Sequence, residues 1–258
     1  MPLTEIPQLF AALPILIGIS FVAWLISLKT GKVSVIDTFW PLLVTAALWV
    51  YLIQYPGENQ VNWIAVTLVC LWGGRLFLHI FLRARGQCED RRYTELRSRW
   101  KSNFEMKSLA GIFGLQAFMA WIVSFSLFFA LRGESEFSPL RWTAAGIWLF
   151  GITFETVADV QLRAFQRAKN RNGVLDTGLW RYSRHPNYFG ECCVWWGAYL
   201  MALPADGWWS IASPLLMTYC LLDFTGIRRM EFGVVQRRPD YDVYTQKTSR
   251  LIPLPPRK

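Results

Sequence analysis

The chain has 258 residues, of which 53% are hydrophobic, 16% aromatic and only 17% charged, with a formal net charge of +9. This is too apolar for an ordinary soluble domain and places the chain in a membrane. The positive charge reads as a topology signal and as surface for anionic ligands, and it gives little support to nucleic-acid binding.

In chain order, the first apolar run covers residues 11–28. It lacks the basic leader and small-residue cleavage pattern of a removable signal peptide, so it reads as the first span. Runs at 33–53, 63–82, 109–131 and 142–160 follow. Each is near the ~20 residues that cross ~30 Å of hydrocarbon. A shorter run at 192–203 and another at 208–224, separated by Pro204, Asp206 and Gly207, bring the expected count to seven. The expected fold is all-α, a polytopic membrane protein forming one domain over residues 1–258, without a repeat or a second soluble domain.

Charge tests that count, because Lys and Arg collect on the cytoplasmic side. With the amino terminus outside, every Lys and Arg except Arg132 and Arg141 falls on inner segments or membrane edges, and the carboxy terminus is cytoplasmic. Trp63, Trp142, Trp208 and Trp209 suit interfacial anchoring. The five cysteines include no CxxC pair, so reduced thiols are expected, with neither a disulfide nor a metal site.

The inner segment 83–107 (RARGQCEDRRYTELRSRWKSNFEMK) mixes acids, aromatics and bases that can recognise phosphate or anionic lipid. A solvated basic loop with local ion pairs is the simpler reading of that segment alone. At the end of the fifth run, Glu155, Asp159 and Arg163 stand four residues apart and share one helical face. An Asp159–Arg163 pair accounts for two of them, but an acid as deep as Glu155 needs a partner or an aqueous cavity. Residues 166–177 then read as a turn-rich loop.

That loop leads to residues 178–191, GLWRYSRHPNYFGE, an unusually polar threshold for a membrane helix. Gly178 permits a tight turn, and Pro186 restrains the backbone where the helix starts. Arg181 and Arg184 offer planar donor forks suited to phosphate oxygens, with Tyr182, His185, Asn187 and Tyr188 adding donors or stacking faces. This is chemistry suited to a dinucleotide, although no GxGxxG follows a strand and no Walker loop is present. The simpler alternative is an interfacial helix cap with lipid-binding arginines. Asn187 and Glu191, which carry the polar face into the span, favour a ligand site.

The threshold motif followed by WWG, the earlier LWGGRL and CEDRRY, and the terminal RRPDYDVYTQKTSRLIP resemble the bacterial, functionally unassigned branch of the steroid 5-alpha-reductase family. The resemblance covers nearly the whole chain and is strongest in its carboxy-terminal third. It implies a seven-helix membrane reductase, in a bacterial inner membrane, that holds NADPH in a cytoplasm-facing cavity and reduces an activated carbon–carbon double bond. Residues 178–258 would contain the cofactor motif, the last two spans and the tail.

Carried over by position, the resemblance implies a cofactor pocket of Asp159, Arg163, Arg181, Tyr182, Arg184, His185, Asn187, Tyr188 and Glu191, with Arg228, Arg229 and Glu231 near the last span. Arg75 and the segment from Glu89 to Tyr93, Asp90 included, resemble further cofactor positions. Tyr241 and Tyr244 suit either closure of the pocket or a peripheral cap.

Reduction of an enone needs a donor that polarises its carbonyl. Asp37 is the first candidate, because desolvation favours retention of a carboxyl proton, and it stands where steroid-reducing relatives carry a glutamate. Tyr93 and His79 are further donor candidates, and Trp72 stands where those relatives carry a tyrosine. The expected partners are a lipophilic substrate and membrane lipids, with neither nucleic acid nor an obligate protein partner. Two other functions fit parts of the pattern. One is an S-adenosylmethionine-dependent methyltransferase resembling the isoprenylcysteine carboxyl methyltransferases through RHPxYxG, and the other is a non-enzymatic lipid-binding scaffold.

Overall fold

Within hydrocarbon every backbone N–H and C=O must find its partner inside the chain, which is why sustained apolar runs become helices. The computed structural model describes residues 6–54, 62–132, 138–168, 173–224, 226–227, 231 and 240–257. These residues are almost entirely helical, with one isolated bridge, Ser183 to Ser249, and no sheet.

Among the described residues four helices are long and apolar enough to cross a membrane: α1 (Ile6–Thr30, with a turn at Ala11), α2 (Val35–Ile53), α3 (Trp63–Ala84) and α5 (Phe104–Ala130, passing through a π-helical turn at Leu109–Gly114). A short polar helix, α4 (Arg91–Trp100), lies between α3 and α5 in sequence. Next come α6 (Pro139–Arg167), α7 (Pro186–Ala202), α8 (Ala212–Tyr219) with a π-helical extension at Cys220–Phe224, and α9 (Asp240–Lys247). At 29 residues α6 is long enough to cross, but Glu155, Asp159 and Arg163 make it amphipathic.

Local chemistry sets several helix ends. Asn62 accepts from the Ala65 N–H at 3.3 Å to cap α3, and Asp90 accepts from the Arg92 N–H at 2.8 Å to cap α4. Ser138 does the same for α6, whose first residue is Pro139.

The chain forms two compact units, one of residues 1–137 and 201–213, the other of residues 138–200 and 214–258. The first holds all four apolar helices. Its interior contains fully buried Trp72, Tyr51, Phe113 and Phe128, and a side chain at Gly73 would run into Thr45 Oγ1 on α2. Polar pairs tie the interior of this unit together, as where Tyr51 Oη meets Ser124 Oγ at 2.8 Å and Trp121 Nε1 donates to the Leu9 carbonyl at 2.9 Å. Ile17, Val22, Leu71 and Leu78 remain exposed on the helix exteriors, the surface a lipid-facing bundle requires. Trp63, at the start of α3, is also exposed.

In the second unit α6 and α7 cross at glycine contacts. A Cβ on Gly190 would lie 2.7 Å from the Glu155 nitrogen and 2.8 Å from the Gly151 carbonyl, and one on Gly197 would lie 2.9 Å from the Trp148 nitrogen. Small residues let the two backbones touch, the usual device for helix association in lipid. This contact sets the polar face of α6 against the threshold residues at the start of α7.

Candidate functional site

Each unit contains a polar cluster. In the first it is built on the loop before α4. Glu89 Oε2 accepts from the Val33 N–H at 2.5 Å, and Oε1 accepts from the N–H groups of Ser34 and Asp90 at 3.0 and 3.1 Å. Lys32 Nζ adds a bond to the Gln87 carbonyl at 2.6 Å. A carboxylate thus occupies the turn that leads into α2, where unpaired amides and the helix dipole both favour negative charge.

With the loop fixed there, α4 presents two side chains to Asp37 in the first turn of α2. Arg92 Nη2 pairs with Asp37 Oδ2 at 2.8 Å, and the Tyr93 hydroxyl donates to Asp37 Oδ1 at 2.6 Å. Gln116 Nε2 reaches Asp37 Oδ1 and Tyr93 Oη, both at 3.4 Å. Arg92 is held from behind by Asp90 at 3.0 Å. Burial and the neighbouring Asp37 charge hold the Tyr93 phenol well above its ordinary range, so it keeps its proton. Burial opposes charge on Asp90, but the Arg92 hydrogen bonds and charge outweigh it and leave Asp90 more acidic than usual. Asp37 accepts from Arg92, Tyr93 and Gln116 in this arrangement.

Trp72 is fully buried, and Arg75 is part-buried one turn further along α3. His79, a third candidate donor, is buried on the same helix. A cavity of about 140 Å³ in this unit is lined by Ser27, Gly31, Val33, Arg97, Glu105 and Ser108 among others. It is too small for a dinucleotide.

The second cluster gathers the threshold residues. Gly178 adopts φ +61°, and a Cβ there would meet the Gln161 side chain at 2.6 Å, so only glycine suits the turn. Gln161 Oε1 accepts from the Leu179 N–H at 3.0 Å, and Trp180 Nε1 donates to the Ala158 carbonyl at 3.1 Å, docking the turn on α6. His185 is buried. Its Nε2 lies 3.0 Å from Glu231 Oε1, and its ring stacks on Tyr188 at 5.7 Å. Burial lowers the His185 pKa against the opposing pull of Glu231, whereas Glu231, despite burial, is made more acidic by His185 and Arg184. A neutral imidazole beside a carboxylate carries its proton on Nε2.

Arg184 forms a 3.3 Å ion pair from Nε to the same Glu231 oxygen, with a side chain only 12% exposed. Its Nε is buried and makes no hydrogen bond of good geometry among the described residues, so the contact with Glu231 is an ion pair only. Asn187 Nδ2 donates to Asp159 Oδ1 at 3.3 Å, while Asn187 Oδ1 is buried with no donor among the described residues. Glu191 accepts from Trp195 Nε1 at 2.9 Å. Asp159 thus meets Asn187 across the α6–α7 contact. Arg181 and Tyr182 are exposed beside the cluster.

The structure therefore brings Asp159, Arg184, His185, Asn187, Tyr188 and Glu231 together in one unit, and Asp37, Glu89, Asp90 and Tyr93 in the other. Arg228 and Arg229 lie outside the described residues. Sequence reasoning included Arg92 only as part of the segment 89–93 and missed Gln116, Gln161 and Ser183 as site residues. Gln116 was findable as an isolated amide inside an apolar run.

The chain is 26% identical over 90% of its length to the uncharacterized protein C594.04c of Schizosaccharomyces pombe (strain 972 / ATCC 24843), 76% of which is covered. No solved structure matches the chain. Residues 23–248 match the family described as Protein of unknown function (DUF1295), and the chain belongs to that family.

Proposed function

We propose that the protein is an NADPH-dependent membrane reductase acting on the activated carbon–carbon double bond of a lipophilic enone. The observation that carries this reading is the pairing, in one cluster, of a largely buried arginine, Arg184, with a buried amide oxygen, Asn187 Oδ1, that has no donor among the described residues. The first suits phosphate, and the second suits an amide or amine N–H, so the residues fit a nicotinamide dinucleotide. Glu231 fixes Arg184 and His185, and Asn187 is oriented by Asp159.

NADPH when bound supplies the hydride. Tyr93 keeps a proton that it now gives to Asp37, and in this reading its hydroxyl turns to the substrate carbonyl and stabilises the oxyanion as charge develops there. Asp37 and Arg92 hold the phenol in place. The α-carbon takes its proton from solvent, so one hydride and one proton saturate the double bond.

In this proposal α6, α7 and α8 complete seven spans, with the amino terminus outside and the basic segments cytoplasmic in a bacterial inner membrane. The threshold then takes its cofactor from the cytoplasmic side. The test is turnover of membrane-soluble enones with NADPH deuterated at C4. Mass spectrometry should find one deuterium on the β-carbon of the saturated product. Absence of enone-dependent NADPH oxidation across a panel including steroid and non-steroid enones would contradict the reading.

A further inference from the structure

The second unit's tail makes a series of contacts with the threshold. Arg184 donates its N–H to the Ser249 carbonyl at 2.8 Å, beside the bridge that pairs Ser183 with Ser249. Ser183 Oγ donates to the Leu251 carbonyl at 2.7 Å and accepts from the His185 N–H at 3.1 Å, and Ser183 is fully buried. The Leu254 N–H donates to the Tyr182 carbonyl at 3.0 Å. The buried Tyr244 hydroxyl donates to the Trp180 carbonyl and reaches the Ser183 carbonyl at 3.4 Å. The tail is anchored in turn where Arg250 Nη2 meets the Leu222 carbonyl at 3.1 Å and where the Arg257 N–H donates to the Lys247 carbonyl at 2.9 Å.

Residues 180, 182, 183 and 184 are thus each held by residues of the tail between 244 and 254. Residues 182–185 are not regular helix, so without the tail these backbone groups would lack the internal partners that fix a conformation. Side chains that grip a charged ligand must be held within about 0.5 Å of the productive geometry, and a loop achieves this only when its backbone is fixed from behind.

We propose that Tyr244 and the segment 249–254 are positioning elements of the anion-binding site, setting the backbone from which Arg184 and His185 project. The ligand part of this inference rests on the nucleotide reading above. The backbone part stands on the contacts alone. Tyr244 is accordingly a positioning residue, reaching the ligand only through the threshold it fixes.

Two substitutions test it in the full-length protein. Tyr244→Phe removes only the hydroxyl. Leu254→Pro removes the N–H that holds Tyr182, and Leu254→Ala keeps it as a control for exchange. Hydrogen exchange at the Arg184 amide is read first, without any ligand. It should accelerate ~3–10-fold in Tyr244→Phe and in Leu254→Pro, the effect of one lost hydrogen bond, and stay at the wild-type rate in Leu254→Ala. NADPH titration should then show Kd raised by a similar factor in the first two variants. In turnover KM for NADPH should rise with it, while kcat at saturating NADPH stays within about twofold.

Unchanged Arg184 exchange in both variants would overturn the inference, and so would faster exchange with unchanged NADPH affinity. A wild-type protein that protects the Arg184 amide but binds no NADPH would overturn the nucleotide reading and the ligand part of this inference together. The exchange rates of the variants would still decide the backbone part.

Discussion

Glu89→Gln separates two roles for the loop before α4, contact with a cofactor and placement of Tyr93. Glu89 is a pure acceptor, taking three backbone N–H groups at 2.5, 3.0 and 3.1 Å. Glutamine is nearly the same shape but has one oxygen, so its NH₂ must face at least one of those donors. The best arrangement keeps the Ser34 and Asp90 bonds and loses the shortest, to Val33. A charge-assisted bond contributes ~1.5–3 kcal/mol and the charge at the helix start ~0.3–1 kcal/mol. Because Glu89 is only part-buried, the lower part of that range applies, about 2–3 kcal/mol of local anchoring.

Tyr93 lies four residues beyond Glu89, so loosening the loop misplaces the phenol without touching the threshold residues. We expect the Val33 amide to exchange ~30–100-fold faster, and the Ser34 amide less so. Turnover should fall ~10–100-fold, with KM for NADPH within about twofold of wild type. Wild-type exchange at Val33 and Ser34 would refute the capping argument. A raised KM for NADPH with unchanged kcat would show that Glu89 contacts the cofactor instead.

Other substitutions and pH make further tests. Tyr93→Phe should lower kcat ~100–1000-fold with little change in NADPH affinity, the loss measured when one oxyanion donor is removed, and wild-type turnover would exclude Tyr93 as the donor. Arg184→Met should weaken NADPH binding ~10–100-fold and reduce its salt dependence, as read by fluorescence titration across ionic strengths. Gly190→Ala should lower stability in detergent by about 1–3 kcal/mol, because the added carbon meets backbone atoms of α6. Gly146→Ala, with nothing within 4 Å, should leave the melting temperature at the wild-type value. His185 is depressed below its ordinary 6.5, so as pH falls from about 6.5 the unfolded chain takes up a proton before the folded protein does, and stability is lost. Glu231, depressed from 4.5, adds a loss of the same sign at lower pH. His185→Gln should flatten the decline in melting temperature between pH 6.5 and 5.5.

The apolar helices were legible because their signal needs only length and composition. The runs 33–53 and 63–82 reappear as Val35–Ile53 and Trp63–Ala84. The run 142–160 understated its helix, which continues to Arg167, because the helical geometry persists after the apolar stripe ends. The basic loop conceals a helix, Arg91–Trp100, whose start is marked by the Asp90 cap. At the threshold the residue types were legible, but their pairings were not. Asp159 meeting Asn187 depends on the α6–α7 glycine crossing, and Glu89 capping the start of α2 joins residues 55 and 56 apart in sequence. The tail's grip on residues 180–184 is largely a backbone matter; the sequence pointed to Tyr244 as a closing or capping residue but not to the backbone bonds made by residues 249–254.

The most direct measurement is equilibrium binding by the purified protein in nanodiscs, titrated in parallel with NADPH and with S-adenosylmethionine. NADPH should bind with micromolar or tighter affinity, and Arg184→Met and Asn187→Ala should each weaken it while leaving the melting temperature within a few degrees of wild type. Saturable binding of S-adenosylmethionine with no binding of NADPH would contradict the account and assign the same cluster to methyl transfer.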